Sequence, residues 1–181
     1  MNKYFHLFSV LLFFVSAGCK NSNDTSEIKN KLFDISAYFS AEAKRLQSLN
    51  ASLEKTLIKN NISEKLIQNN PNWQLELKPF MESGLNKPAI ANSYKTDSVL
   101  IGNSLKVTYS AMDSSAPVKN VILYFSDSKP DSIIILKATN TIYYTLSEEL
   151  RYYRNNYFIN ASTQPKAGKA IKFSLHCTIQ E

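Results

Sequence analysis

Glycine is scarce, with four in 181 residues. A nucleotide cradle needs several glycines at fixed spacing so that backbone can approach phosphate, and no such run opens a helix here. The strained serine turn Gly-x-Ser-x-Gly is absent too. Histidine is nearly missing: His6 lies close to the amino terminus and His176 close to the carboxyl end. Zinc needs three or four ligands, and His176 and Cys177, as neighbours on a strand, point to opposite faces. Cysteine occurs twice, as Cys19 and Cys177. Cys177 falls on the apolar side of an alternating stretch, which reads as a small buried thiol with nothing local to activate it. No apolar run is long enough for a permanent membrane-spanning helix. Acid excess is lacking as well: the formal net charge is +6 and the pI about 9.2. The basic blocks, such as Lys44-Arg45 and Arg151-Tyr152-Tyr153-Arg154, are short and scattered. They read as a solvated surface beside an anionic membrane or wall polymer, with no nucleic acid partner.

What is present begins at the first residues. Asn2 and Lys3 give a cationic start, residues 7–15 are apolar, and Ser16-Ala17-Gly18-Cys19 follows. A basic flank and a short apolar core make an export signal. The small residues before the cysteine resemble a bacterial lipoprotein lipobox. That resemblance implies cleavage before Cys19 and acylation of its thiol and new amino group. Each buried methylene contributes ~0.8 kcal/mol, and stable anchoring takes about two chains. The three chains usual on such a cysteine would therefore hold the protein on membrane lipid. The competing reading is an ordinary secretory signal cut nearby. Residues 1–18 are thus the expected signal peptide, residues 19–26 the lipidated cysteine and a polar tether, and residues 27–181 one domain.

Asp24, Thr25 and Ser26 are candidate helix caps. Ile28, Leu32, Ile35, Phe39, Leu46 and Leu49 then recur at three- and four-residue steps, which predicts an amphipathic helix over residues 26–50. Asn60-Asn61 between two apolar-polar stretches predicts a hairpin, with a continuing helix as the rival reading. Asn70-Pro71 reads as a second helix start, with Trp73, Leu77, Phe80 and Met81 on one face and a break at Pro79. Strands are expected over residues 95–100, 105–111, 118–125, 133–138, 141–146, 157–162 and 170–180. Residues 147–154 read as a helical turn capped by Ser147, with Glu148 and Glu149 in its first turn. Short turns between strands require antiparallel pairing. The expected fold is α+β: an N-terminal amphipathic helix packed on a mainly antiparallel sheet.

Tyr143, Tyr144, Tyr152, Tyr153, Tyr157 and Phe158 crowd a short stretch, with Arg151 and Arg154 between them. Tyrosine and arginine anchor binding surfaces, so Tyr143, Tyr144, Arg151, Tyr152, Tyr153, Arg154 and Tyr157 are candidate ligand contacts. Tyrosines that simply fill strand faces explain the same density. Neither a catalytic residue nor a metal or cofactor site is assigned. Asp97-Ser98-Val99 and Asp131-Ser132-Ile133 are similar to the tripeptide glycosylated in exported Bacteroidota proteins.

Lys44-Arg45-Leu46, Lys55-Thr56, Asn72-Trp73 with Glu76-Leu77, Glu82-Ser83, Asn86-Lys87-Pro88-Ala89, Ser93-Tyr94 and the stretches 140–145 and 157–164 carry a wider likeness. Together they resemble a set of small uncharacterised lipoproteins from Bacteroidota. The resemblance implies a membrane-tethered α+β domain and brings no activity. The expected role is a non-enzymatic binding module of the cell envelope, lipid-anchored at the outer membrane, with an envelope protein or glycan as partner. The alternatives are a small glycan hydrolase, for which Glu148 and Glu149 are the first acids to replace, and an assembly lipoprotein docking through its N-terminal helix. Mass spectrometry of the membrane-extracted protein should find acyl chains on Cys19, and Cys19→Ser should wash free without detergent. An unmodified thiol on membrane-bound protein would contradict the anchor.

Overall fold

The computed structural model describes residues 32–60, 62–90 and 92–181. Cys19, the signal segment, the tether and the first residues of the predicted helix lie outside the described residues. The unit from Leu32 to Glu181 is built on one nine-stranded sheet. In chain order the elements are α1 (Ile35–Ser48), β1 (Ser52–Lys59), β2 (Ile62–Gln68), α2 (Trp73–Glu76), α3 (Lys78–Met81), β3 (Tyr94–Ile101), β4 (Ser104–Ala111), β5 (Val118–Phe125), β6 (Pro130–Asn140), β7 (Tyr144–Tyr153), β8 (Asn156–Pro165) and β9 (Ile171–Gln180).

Every neighbouring pair is antiparallel, and the order is β2-β1-β9-β8-β7-β6-β5-β4-β3. Strands β3 to β9 form a continuous meander, and the β1–β2 hairpin adds to its far edge. Chain order then imposes a demand. β2 and β3 are consecutive, yet they are opposite edges of the sheet. At ~4.8 Å per strand the edges are nearly 40 Å apart measured along the sheet, and the intervening chain must cover that span. Residues 69–93 make that crossing, and α2 and α3 are its folded parts.

The crossing stays on one face because of its aromatic and aliphatic side chains. Trp73, Leu77, Phe80 and Leu85 have no exposed surface, nor have Ile35, Phe39, Ala43 and Leu46 of α1. They meet the inward residues of the strands: Leu53, Val121, Leu123, Ile133, Ile135, Leu150 and Cys177. The rings interlock. Phe39 lies 4.6 Å from Phe80 and 5.1 Å from Tyr152, and Phe80 lies 5.9 Å from Tyr157. Gly84 is required by a close approach: a Cβ there would run into the Ser36 hydroxyl of α1.

The α+β expectation is corrected. Helix makes up only about 15% of the described residues, and the single sheet carries the architecture, so the fold is mainly β. α1 is shorter than the apolar period suggested. Its cap is Asp34, whose carboxylate accepts from Ala37 N at 2.9 Å, and residues 32–33 are not helical. The helix ends in a left-handed turn at Asn50 (φ 51°), where Ala51 N donates to Leu46 O at 3.1 Å. Asparagine supplies the conformation that scarce glycine would otherwise provide. Asn60 (φ 50°) does the same in the β1–β2 turn, which settles the hairpin against the continuing helix. At the second helix the cap is Asn72 and not Asn70, and the expected break at Pro79 is there: two one-turn helices, α2 and α3, stand in place of one.

Residues 147–154 are strand, not a helical turn. Leu150 and Tyr152 enter the core opposite Ile135 and Ile133. Burying that period-two pattern outweighs the cap-like Ser147-Glu148-Glu149.

Phe39→Ala and Phe80→Ala should each lose about 3–5 kcal/mol of stability in urea unfolding, because the rings fill space between rigid partners. Loss below 1 kcal/mol would contradict the interlocked packing.

Candidate functional site

Each strand has two faces, and the described helices cover only one. Among the described residues no helix covers the other, which is here the open face. One rung across six adjacent strands defines its middle. Asn120 pairs with Leu136, Leu136 with Glu149, Glu149 with Asn160, Asn160 with Ser174, and Ser174 with Ile58. A cavity of about 850 Å³ lies over this rung and extends past Ala138, Ser147, Ser162 and Lys172. Six strands at ~4.8 Å spacing share one concavity only where twist curls the sheet into a trough.

The trough is polar in a particular way. Ser110 Oγ donates to Asn120 Oδ1 at 2.9 Å, and Ser174 Oγ to Asn160 Oδ1 at 2.6 Å. Further along the same face, outside the trough, Thr178 Oγ1 donates to Asn156 Oδ1 at 3.1 Å. Each cross-strand hydroxyl takes a carboxamide oxygen and so orients the amide, leaving its NH2 donor for another partner. Leu136, Ala138 and Ile58 form an apolar floor among these groups. Beside the trough, Phe158 and His176 stack at 4.4 Å with an interplanar angle of 12°.

The carboxylates of the region are engaged. Glu148 pairs with Lys137 at 3.2 Å and Glu149 with Arg151 at 2.6 Å. As neighbours on β7 they point to opposite faces. Glycoside hydrolysis needs two carboxyls converging on one bond, and this adjacent pair does not converge. Lys119 Nζ donates to the carbonyls of Ser114 and Ala116, both at 2.6 Å. Among the described residues no cluster of three or more His, Cys, Asp or Glu side chains comes together. No described helix is long and apolar enough to cross a membrane.

The candidate aromatic residues do not form one surface. Tyr152 and Tyr157 are buried under the helices. The Tyr152 hydroxyl donates to Glu42 at 2.7 Å, and Arg45 grips the same carboxylate at 2.7 and 2.9 Å. Arg45 also binds Glu181 at 2.7 Å, tying α1 to the end of β9. Burial works against the Glu42 charge, yet the hydrogen bonds from Arg45 and Tyr152 hold its carboxyl below the ordinary value. Burial pushes the neighbouring Tyr38 hydroxyl up to about 12, with the Glu42 charge adding to it. Tyr157 donates to Glu76 at 3.1 Å, and Lys55 pairs with the same carboxylate at 2.7 Å. These groups fasten helix to sheet. Tyr153 and Arg151 share the open face, and the Arg154 guanidinium sits 5.1 Å over the Tyr153 ring in the β7–β8 turn. Tyr143 and Tyr144 lie at the other end of the strands, exposed in and beside the β6–β7 turn. Cys19 lies outside the described residues.

The Asn120, Asn160 and Ser174 rung escaped the sequence reading. Its residues come from strands far apart in the chain, and only the register aligns them. No protein-family model matches the chain, and neither a curated protein nor a solved structure matches it.

Cys177 has no exposed surface. Burial pushes its thiol up to about 11, with the Tyr157 hydrogen bond and the Lys55 charge pulling partly back. Two outcomes follow. Alkylation of Cys177 at pH 8, read by peptide mapping, should be on the order of a hundredfold slower in the folded protein than in urea. Glu42 gives the opposite pH window: its depressed carboxyl stabilises the fold above the unfolded value near 4.3 and loses that contribution as pH falls through the folded value. Glu42→Gln should therefore weaken the fold by about 1–3 kcal/mol at pH 7 and flatten its acid sensitivity. Fast native alkylation, or unchanged acid sensitivity, would contradict these assignments.

Proposed function

We propose that this protein is a lipid-anchored, non-enzymatic module of the bacterial cell envelope, held at the outer membrane through Cys19, that binds an extended glycan across its open face. One observation carries the ligand reading: a trough of about 850 Å³ whose amide donors are pre-oriented by cross-strand hydroxyls.

A glycan fits that chemistry. Its hydroxyls and ring oxygens accept from carboxamide NH2 groups and donate to exposed carboxylate or serine oxygens. Its apolar ring faces suit a floor of Leu136, Ala138 and Ile58. Its length suits a groove that runs across strands. Binding groups held in place before the ligand arrives lose little entropy on association. Glu148 and Glu149 are each ion-paired and face opposite sides of β7, so they are not the converging pair that glycoside cleavage needs, which supports binding without bond cleavage.

Titration of isotope-labelled protein with envelope oligosaccharides tests the reading. Amide shifts should cluster at Asn120, Leu136, Asn160 and Ser174. Asn160→Leu should weaken binding about tenfold, the loss of one or two hydrogen bonds, with the fold intact. Shifts confined to other surfaces, or release of free sugar, would overturn the proposal.

A further inference from the structure

Antiparallel connectivity places alternate turns at the same end of the sheet. The β1–β2, β4–β5, β6–β7 and β8–β9 turns share one end, and the remaining turns share the other. The first end has an unusual surface. Ile142 is 79% exposed and Tyr143 73%, with Ile62 and Met112 at 66% and 65%. Lys166 and Lys169 lie in these turns, with Lys59 and Lys172 on the strands beside them; Asp113 is the one acidic residue in the four turns, and Glu64 lies near Lys59 just past the β1–β2 turn.

The apolar tip is held outward. Thr141 Oγ1 accepts from Tyr143 N at 3.2 Å and Tyr144 N at 3.0 Å, and Thr141 N donates to Tyr144 O at 2.8 Å. Lys166 N donates to Tyr143 O at 2.8 Å, which joins the β6–β7 and β8–β9 turns into one unit. Its Nζ reaches Asn140 Oδ1 at 3.3 Å. A turn this constrained cannot fold its isoleucine and tyrosine back against the domain.

From this we infer that this end of the sheet docks on an anionic lipid surface, with Ile142 and Tyr143 entering the headgroup layer and the lysines contacting lipid charge. Tyrosine and aliphatic side chains favour that interface. Lysines close to an anionic leaflet are attracted to it over about one Debye length. The opposite end lacks the charge pattern. Its β3–β4 hairpin exposes Val99, Leu100 and Ile101, but Asp127, Lys129, Arg154 and Glu181 at the same end are mixed in sign. The inference stands on this end of the sheet, where of these lysines only Lys172 also borders the trough, and it does not depend on what the trough binds.

The full chain is mixed with vesicles whose acyl chains are brominated, either pure phosphatidylcholine or phosphatidylcholine with about a third phosphatidylglycerol. Tyr143→Trp reports one end and Leu100→Trp the other. Trp73 has no exposed surface and stays unquenched, which also checks the fold. Whether or not Cys19 is acylated, quenching at position 143 reads lipid contact there. The expected result is quenching at position 143 on phosphatidylglycerol vesicles only, and none at position 100. Each lysine contributes roughly fivefold to surface attraction. Adding Lys166→Ser, Lys169→Ser and Lys172→Ser should lower the docked-to-undocked ratio on the order of a hundredfold and abolish the quench. Quenching at position 100 instead, equal quenching at both ends, none at either, or quenching that survives loss of the lysines would overturn the inference.

Discussion

The distance between the two edges of the sheet governs this molecule. Because β2 and β3 are sequential but outermost on opposite sides, residues 69–93 have to travel across all the other strands. An irregular segment buried on that route would leave backbone groups without partners. A helical, aromatic-rich one satisfies its own backbone and buries Trp73, Leu77 and Phe80 against the strands. α1 runs beside it, joined by the Ser36 hydroxyl donating to Met81 O at 2.6 Å and by Asn86 Nδ2 donating to Leu32 O at 3.1 Å. One face of the sheet therefore becomes the core. The other is left to the residues that alternate with it, and the trough follows from that division.

The same division explains the polar network under the helices. Lys55, Glu76 and Tyr157 form a nearly enclosed ion pair with a third partner, a placement tolerated only when each charge is answered. The Glu42, Arg45, Tyr152 and Glu181 cluster, with Arg45 half-exposed at the rim, makes a second such fastening nearer the chain end. Both groups join a helix to strands distant in sequence. They fix the angle of the helical layer, where apolar contacts alone would allow sliding.

Local signals told much of this. A nearly unbroken apolar run marked the strand at residues 118–125, alternation marked the last strand, and Pro79 announced a break. Asparagine at position 60 marked a hairpin turn, because it accepts the left-handed backbone that the β1–β2 connection needs. What local signals could not convey was anything set by pairing. Ser147-Glu148-Glu149 resembles a helix start until Leu150 and Tyr152 are placed opposite Ile135 and Ile133. The apolar period of α1 runs upstream of Asp34, yet the cap there sets where the helix starts. Aromatic density suggested one patch, but alternation sends Tyr152 inward and Tyr153 outward from adjacent positions. The amide-bearing rung has no linear signature, since its members belong to six strands.

A free second face is the premise on which ligand binding rests. Solvent relaxation by a soluble gadolinium chelate, recorded by NMR on the unliganded full-length protein, measures it directly. Side-chain signals of Asn120, Asn160 and Ser174 should relax strongly, while those of Phe39, Leu53 and Tyr157 remain sharp. Protection of the asparagine rung to the level of the buried rings would mean that another part of the chain covers this face, and the account would fail.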